Sequence, residues 1–327
     1  MRRALLSYLA RIGLAAGALP LYGLLTLLAR RFRPFIPARF LEEMAGVARG
    51  ADLGLGTILL LNVIDDLANN SPRCSALAAG DQGTGDGRYL LGRNLDYPLF
   101  TEVMIRRQTL FLLEPAQSLP LASLAWPGYV GVCTGMNRAG VALAQLTAMS
   151  QDRALAGVPA ALRFRQALER GAEVRTAATL ILEAPGTIGN NLLLCSPTEA
   201  AGLEISAGQG AVRHPREGLL LATNHYQSGA MTPLKGRFPP RPPFSGLSSY
   251  HFTEDYSQSR LARLAQLAGA SPLSPLKIQE ILGDPKIANA GTVVSVVFSP
   301  FTLTLRVARG AQPPVSRGPF QEISPWG

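Results

Sequence analysis

The chain contains three cysteines, Cys74, Cys133 and Cys195, and no CxxC pair. A small odd number speaks against a disulfide framework, and the spacing offers no thiolate metal site. Cys133 and Cys195 sit in apolar, strand-like runs and read as small buried hydrophobes. Cys74 differs: it follows a polar, turn-forming stretch, Asn69 to Arg73, and opens an apolar run, Cys74 to Ala79. A thiol with an ordinary pKa near 8.5 needs a base and a free approach before it acts as a nucleophile. Cutting the peptide bond before Cys74 supplies that base. The released α-amine, with an unperturbed pKa of about 7.7–8.0, is partly neutral at physiological pH and sits on the same residue as the thiol. Arg93 and Asp96 stand 19 and 22 residues further on, across one hairpin. A guanidinium beside a thiol favours the thiolate, and a carboxylate supports a nearby amine. Without Cys74, the same two residues read as an ordinary ion pair at a strand end.

Other chemistries fit less well. A cysteine–histidine mechanism has only His214, His225 and His251 to draw on, would pair Cys74 with His225, and predicts an intact chain. No HExxH or clustered His/carboxylate spacing points to a metal hydrolase. A non-catalytic, membrane-anchored binding protein predicts neither cleavage nor thiol reactivity.

The elements that must position these residues are mostly strands. Phe40 to Leu67 reads as two helical pieces, with Leu41, Met44, Val47 and Ala48 at helical spacing and Gly50 and Gly54 as punctuation. After Cys74 a turn with Gly83, Gly85 and Gly87 leads to a strand from Tyr89 to Gly92. Further strands are predicted at Val103–Leu113, Val130–Thr134, Val141–Leu146, Asn191–Cys195, Gly202–Ser206 and Gly218–Thr223. Helices are predicted at Ala160–Glu169, Arg175–Glu183, Ser257–Ala268 and Pro275–Leu282. Val293–Phe298 and Thr302–Val307 close the chain as a hairpin around Ser299-Pro300. Strands in runs and helices in pairs fit sheet layers covered by helices rather than a βαβ alternation. The Pro-rich stretch Phe238 to Phe244 reads as a loop.

At 327 residues, 47% hydrophobic and 16% charged, the chain is long and apolar enough for a sizeable core. Its formal charge of +9 is not a nucleic-acid signature, because the basic residues are dispersed and no zinc-finger or RNA-binding motif is present. The excess sits at the start, where Arg2, Arg3, Arg11, Arg30, Arg31, Arg33 and Arg39 all precede the first acid, Glu42. Such a basic, apolar start suits a membrane surface as partner. Ile12 to Ala29 carries no charged residue, and a run of this length is borderline for a bilayer span of roughly 20 residues. Three readings stand for residues 1–36: an anchor, a signal sequence, or an apolar helix packed on the domain. Membrane association or export is the expected location, and a cytoplasmic one stays open.

Four stretches form a pattern: Arg73-Cys74-Ser75, Gly92-Arg93-Asn94-Leu95-Asp96-Tyr97, Thr223-Asn224-His225-Tyr226 and Ser259-Arg260. In this combination and order the chain resembles the cholylglycine hydrolase, acid ceramidase-like and isopenicillin-N acyltransferase (peptidase C45-like) branch of the N-terminal nucleophile hydrolases. Met44 to Gly50 with Leu60-Leu61-Asn62 looks like that branch's pro-region. Gly135 to Gly140 looks like its glycine turn, and Ser295 to Pro300 like its terminal hairpin. The resemblance spans residues 37–310.

It implies an α+β fold, a four-layer αββα sandwich, with a helical pro-region at 37–73 that stays associated with a catalytic domain at 74–327 after cleavage between Arg73 and Cys74. It further implies that Arg93 stabilises the thiolate, that Asp96 contacts the α-amine, that Asn224 donates to the oxyanion, and that Arg260 is the late active-site arginine. The implied substrate is a small-molecule N-acyl amide, opened through an acyl-thioester on Cys74 and passed to water or to an amine. No metal or organic cofactor is implied. Relatives carry a glutamate, asparagine or tyrosine shortly after the glycine turn, where this chain has Ala144-Gln145-Leu146-Thr147. Gln145 is therefore carried as a substrate-binding candidate with Asn190 and Asn191, whose ordinary reading is a strand-entry turn.

Overall fold

The computed structural model describes residues 18–68, 74–97, 100–238, 253–270 and 272–327. Three helical pieces come first: α1 (Ala18–Ala29), continued by a 3₁₀ turn (Arg30–Phe35), α2 (Ala38–Gly50) and α3 (Leu55–Ala68). Their apolar sides meet in a cluster of Phe32, Phe40, Met44, Ile58, Leu59 and Val63, which also takes in Val130 and Leu162.

Two antiparallel sheets follow. The six-stranded sheet holds β1 (Ser75–Asp81), β2 (Gly87–Asp96), β10 (Leu219–Ala222), β11 (Thr292–Ser299), β12 (Thr304–Ala308) and β13 (Phe320–Ile323), in the order β10-β1-β2-β11-β12-β13. The seven-stranded sheet holds β3 (Thr109–Leu113), β4 (Leu121–Ala125), β5 (Thr134–Asn137), β6 (Ala142–Thr147), β7 (Asn190–Cys195), β8 (Ala200–Ile205) and β9 (Gly210–Arg213), in sequential order. Period-two alternation sorts each strand between two hydrophobic layers. Ala76, Ala78, Leu91 and Leu95 face the other sheet, where they meet Ala142, Ala144, Leu146 and Leu193. Leu77, Ala79 and Val297 face the helices α7 (Glu254–Ala268) and α8 (Pro275–Gly283). On the far side, Leu143, Leu192, Leu194 and Leu203 pack on α5 (Ala160–Arg170) and α6 (Val174–Glu183) through Phe164, Leu168, Val174 and Ile181. Helix, sheet, sheet, helix: the fold is the expected α+β αββα sandwich with a helical N-terminal region.

Two expected strands are cut short, for physical reasons. Residues 103–107 belong to a short helix, α4 (Thr101–Arg107), and only Thr109–Leu113 is extended. Met104 and Ile105 dock on the inter-sheet core and Trp126 Nε1 donates to the Met104 carbonyl at 2.7 Å, so packing overrides the β-branched propensity of Val103 and Ile105. Residues 130–133 are irregular because their backbone groups are spent elsewhere. The Val130 and Gly131 N–H groups bond the Asn62 Oδ1 at 2.7 and 3.2 Å, and Val132 N–H bonds the Ala161 carbonyl. Strands β4, β9 and β13 are additions to the sequence reading, and α7 starts three residues earlier than expected because Thr253 caps it, accepting from Tyr256 N–H at 3.1 Å. Residues 1–17, the stretch Asn69 to Arg73 and, apart from Phe238, the Pro-rich loop lie outside the described residues.

Candidate active site

Cys74 is fully buried at the head of β1, and the sheet register explains its first neighbour. β1 and β2 pair with Ala76 opposite Arg93 and Ser75 opposite Asn94. Cys74, Ala76 and Arg93 therefore share the face turned toward the other sheet. Arg93 Nη2 lies 3.6 Å from the Cys74 Sγ. The guanidinium is held from behind by the Cys133 carbonyl and the Thr134 hydroxyl. Gly92, just before it, is required by close approach: a Cβ there would stand 2.3 Å from Ile278 of α8.

The opposite face of the sheet brings a second arginine. Arg260, on α7, has no exposed surface, contrary to the solvated helical position its sequence context allows. Its Nη1 donates to the Cys74 carbonyl at 2.6 Å and to Ser75 Oγ at 2.8 Å, and its Nη2 to Asn224 Oδ1 at 2.7 Å. The same Asn224 Oδ1 accepts from the Cys74 backbone nitrogen at 2.9 Å, while Asn224 Nδ2 donates to the Thr147 carbonyl at 2.8 Å. Asp96 completes the group. Its carboxylate accepts from Thr292 Oγ1 and Asn289 Nδ2, each at 2.7 Å, and stands 3.8 Å from Arg260. Neither Arg93 nor Asp96 is a surface ion pair; both are fully buried.

Burial sets the electrostatics. It pushes the Cys74 thiol above its ordinary pKa, with the Arg93 charge pulling it back and Asp96 pushing it further up. Burial also raises Asp96 to about 6, against the pull of Arg260, Thr292, Asn289 and Arg93. The thiol in this arrangement is protonated at neutral pH and needs a base to become a nucleophile. Among the described residues no hydrogen bond joins His225 to it; the His225 Nδ1 is engaged by Ser257 Oγ at 2.8 Å and Thr223 Oγ1 at 3.2 Å.

The three pocket candidates divide. Gln145 and Asn190 come together, Gln145 Nε2 donating to Asn190 Oδ1 at 2.6 Å. They line a small cavity with Asp65, Tyr129, Cys133 and the apolar Leu61, Ile64 and Phe164. Cys133 links this cavity to the thiol, because its carbonyl accepts from Arg93 and its own Sγ meets Tyr129 Oη at 2.8 Å. Asn191 has another place. It is buried within β7, not in a turn, and its Nδ2 donates to the carbonyls of Thr223 and His225, each at 2.9 Å, so it fixes the loop that carries Asn224. Sequence reasoning missed the supporting shell: Thr134, Thr147, Ser257, Asn289, Thr292 and the helix acids Asp65 and Asp66. Ser257 Oγ, which accepts from Asn224 N–H at 2.8 Å, sits three residues before Arg260, one helical turn away, and that spacing is the signal that could have found it.

The model of the acyl-coenzyme A:6-aminopenicillanic acid acyl-transferase family matches residues 83–311, more than half of the chain. The chain belongs to this family, and with it to the N-terminal nucleophile hydrolase superfamily. The matched segment holds Arg93, Asp96, Asn224 and Arg260, and Cys74 lies just ahead of it. Among curated relatives of this family member, an uncharacterized protein of Archaeoglobus fulgidus is 27% identical over 171 residues, 45% of this chain and 28% of that protein. The acid ceramidase of Rattus norvegicus is 30% identical over 112 residues, 31% of this chain and 27% of the ceramidase. The chain thus spans less than a third of these relatives. The solved structure of the Caenorhabditis elegans ortholog of N-acylethanolamine-hydrolyzing acid amidase shares the fold, with a TM-score of 0.50 at 17% identity, covering 69% of this chain and 93% of that one.

Proposed function

We propose that the protein is a self-processed cysteine amidase or acyltransferase of linear N-acyl amides. The observation that carries this reading is the convergence on one residue: Arg93 on the Cys74 sulfur, Asn224 on its backbone nitrogen and Arg260 on its carbonyl. In the first step the Cys74 sulfur attacks the Arg73 carbonyl. The S–C bond forms as the C–N bond breaks, the thiol proton passes to the departing nitrogen, and water opens the resulting thioester. This leaves a free α-amine at Cys74, held where Asn224 Oδ1 and the Asp96 carboxylate favour a donor. In turnover that amine takes the thiol proton while sulfur attacks the substrate carbonyl, and returns it to the leaving amine as the C–N bond breaks. Water or an acceptor amine then cleaves the acyl-thioester. Arg93 supports the thiolate, Asn224 serves the oxyanion, and Arg260 binds the Cys74 main chain and screens Asp96.

Residues 37–73 act in this reading as a pro-region that stays bound after cleavage. Its ties to the sandwich are buried and polar as well as apolar. Asn62 bonds the 128–131 segment three times, and Arg165 joins Glu43 of α2 to Glu169 and to the Val130 carbonyl, each at 2.8 Å. The apolar, basic N-terminal region supports a lipophilic acyl group.

Intact-mass spectrometry of the purified protein tests the mechanism. Two fragments are expected, the second beginning at Cys74, and Cys74→Ala should stay whole and inactive against a panel of N-acyl amides of increasing acyl length. A whole wild-type chain that hydrolyses amides overturns the reading. Because the matching family model describes an acyl-transferase, an added acceptor amine should compete with water for the acyl group.

A further inference from the structure

Helix α1 is apolar all round: its sequence, Ala-Leu-Pro-Leu-Tyr-Gly-Leu-Leu-Thr-Leu-Leu-Ala, has no charged residue. Such a helix is expected to be covered on every side. One side is, by Leu25 and Tyr22 packing with Ile58 and Leu59 of α3. The other is bare. Pro20, Gly23, Leu24 and Leu27 are exposed at helical spacing, Leu24 by 52% and Leu27 by 59%. The 3₁₀ turn extends this stripe with Phe35, 40% exposed, and with Arg30, Arg31 and Arg33, all exposed. None of these three arginines has an ion pair among the described residues, whereas Arg39, just beyond, is paired with Glu169.

We infer that this face docks on an anionic lipid bilayer surface. Charge selects the occupant. In a two-fold contact with a second copy the same patch meets itself, and this patch holds no acid to answer its three arginines. Anionic headgroups instead attract them while Leu24, Leu27 and Phe35 enter the headgroup boundary. The proposed docking is along the surface; no helix among the described residues is long and apolar enough to cross a membrane. α1 also packs along α3, the helix that lines the Gln145–Asn190 cavity and precedes Cys74. Docking therefore holds the candidate active site next to the bilayer, where lipid amides reside. The inference concerns binding and stands whether or not Cys74 is the nucleophile.

Vesicle co-sedimentation of the full chain tests it, with vesicles of equal parts phosphatidylcholine and phosphatidylglycerol against pure phosphatidylcholine. Binding is expected only to the mixed vesicles and should fall as salt rises. The triple variant R30E/R31E/R33E should bind about a hundredfold more weakly, from about 1 kcal/mol for each basic residue near an anionic surface. Leu24→Glu with Leu27→Glu, both on the exposed stripe and without effect on the melting temperature, should also lose binding. Equal binding to both vesicle types, or undiminished binding by both variants, overturns the inference. So does a dimer in solution that dissociates on introducing the two glutamates, since it would assign the face to a second copy.

Discussion

Asp66, near the end of α3, is a carboxyl group buried to 2% exposure whose Oδ1 accepts from the Ala160 N–H at 3.0 Å and from the Thr187 hydroxyl. Desolvation outweighs these bonds and raises its pKa from 3.8 to about 7. A group whose folded-state pKa lies above its unfolded value lends stability that is complete below the unfolded value and is lost as pH rises through the folded one. Between pH 5 and pH 7 the unfolded chain has already released this proton and the folded chain has not. Stability then falls by about 1.4 kcal/mol per pH unit, or about 3 kcal/mol across the window. Asp66→Asn keeps an acceptor oxygen at the same place and cannot ionise. Urea melts from pH 5 to pH 8, on a Cys74→Ala background expected to keep the chain whole, should show the parent losing stability toward pH 8 and the D66N variant losing about 3 kcal/mol less. Asp65 and Asp96, each raised to about 6 by burial, slope the same way in both proteins, so the difference reports Asp66 together with its repulsion from Asp65. Parallel curves for the two proteins would refute the reasoning. A D66N protein as damaged at pH 5 as at pH 8 would do the same, because it would make the site's geometry, not its charge, the cause.

Three further outcomes follow from the same contacts. Arg93→Gln removes the cation beside the thiol, so the pKa read from the pH profile of Cys74 alkylation in the processed protein should rise by about 1–3 units; an unchanged profile counts against Arg93 as thiolate partner. Asn224→Ala should slow turnover by about 10²–10³-fold, measured as kcat on processed enzyme. Arg165→Met severs the buried link among Glu43, Glu169 and the Val130 carbonyl and should cost about 3–5 kcal/mol in urea unfolding, with α2 released first by hydrogen exchange.

The strand alternation and the placement of Arg93 were legible because they are local. A hairpin of known length brings residue 93 back beside residue 74, and the period of two decides which face it shares. The helices around Leu41–Val47, Phe164 and Ile278 were legible from their apolar spacing. Val103–Arg107 was not, because its β-branched residues carry strand propensity while docking of Met104 and Ile105 rewards a helix. Nor was the irregular run at 130–133, whose backbone bonds go to Asn62, nearly seventy residues earlier.

The sequence by itself therefore determined the nucleophile candidate, its first arginine and sheet layers covered by helices, since each rests on contacts within a hairpin or on a repeating pattern; the four-layer sandwich followed from the family resemblance. Only the tertiary structure decided what Asn224, Arg260 and Asn191 touch. They lie 117 to 186 residues from Cys74, and their contacts depend on which strand end and which helix face the closed sandwich brings together. It also decided the charge state of the site. The Cys74 thiol and the Asp96 carboxyl are shifted chiefly by exclusion of water, and water is excluded only when both sheets and α7 are in place.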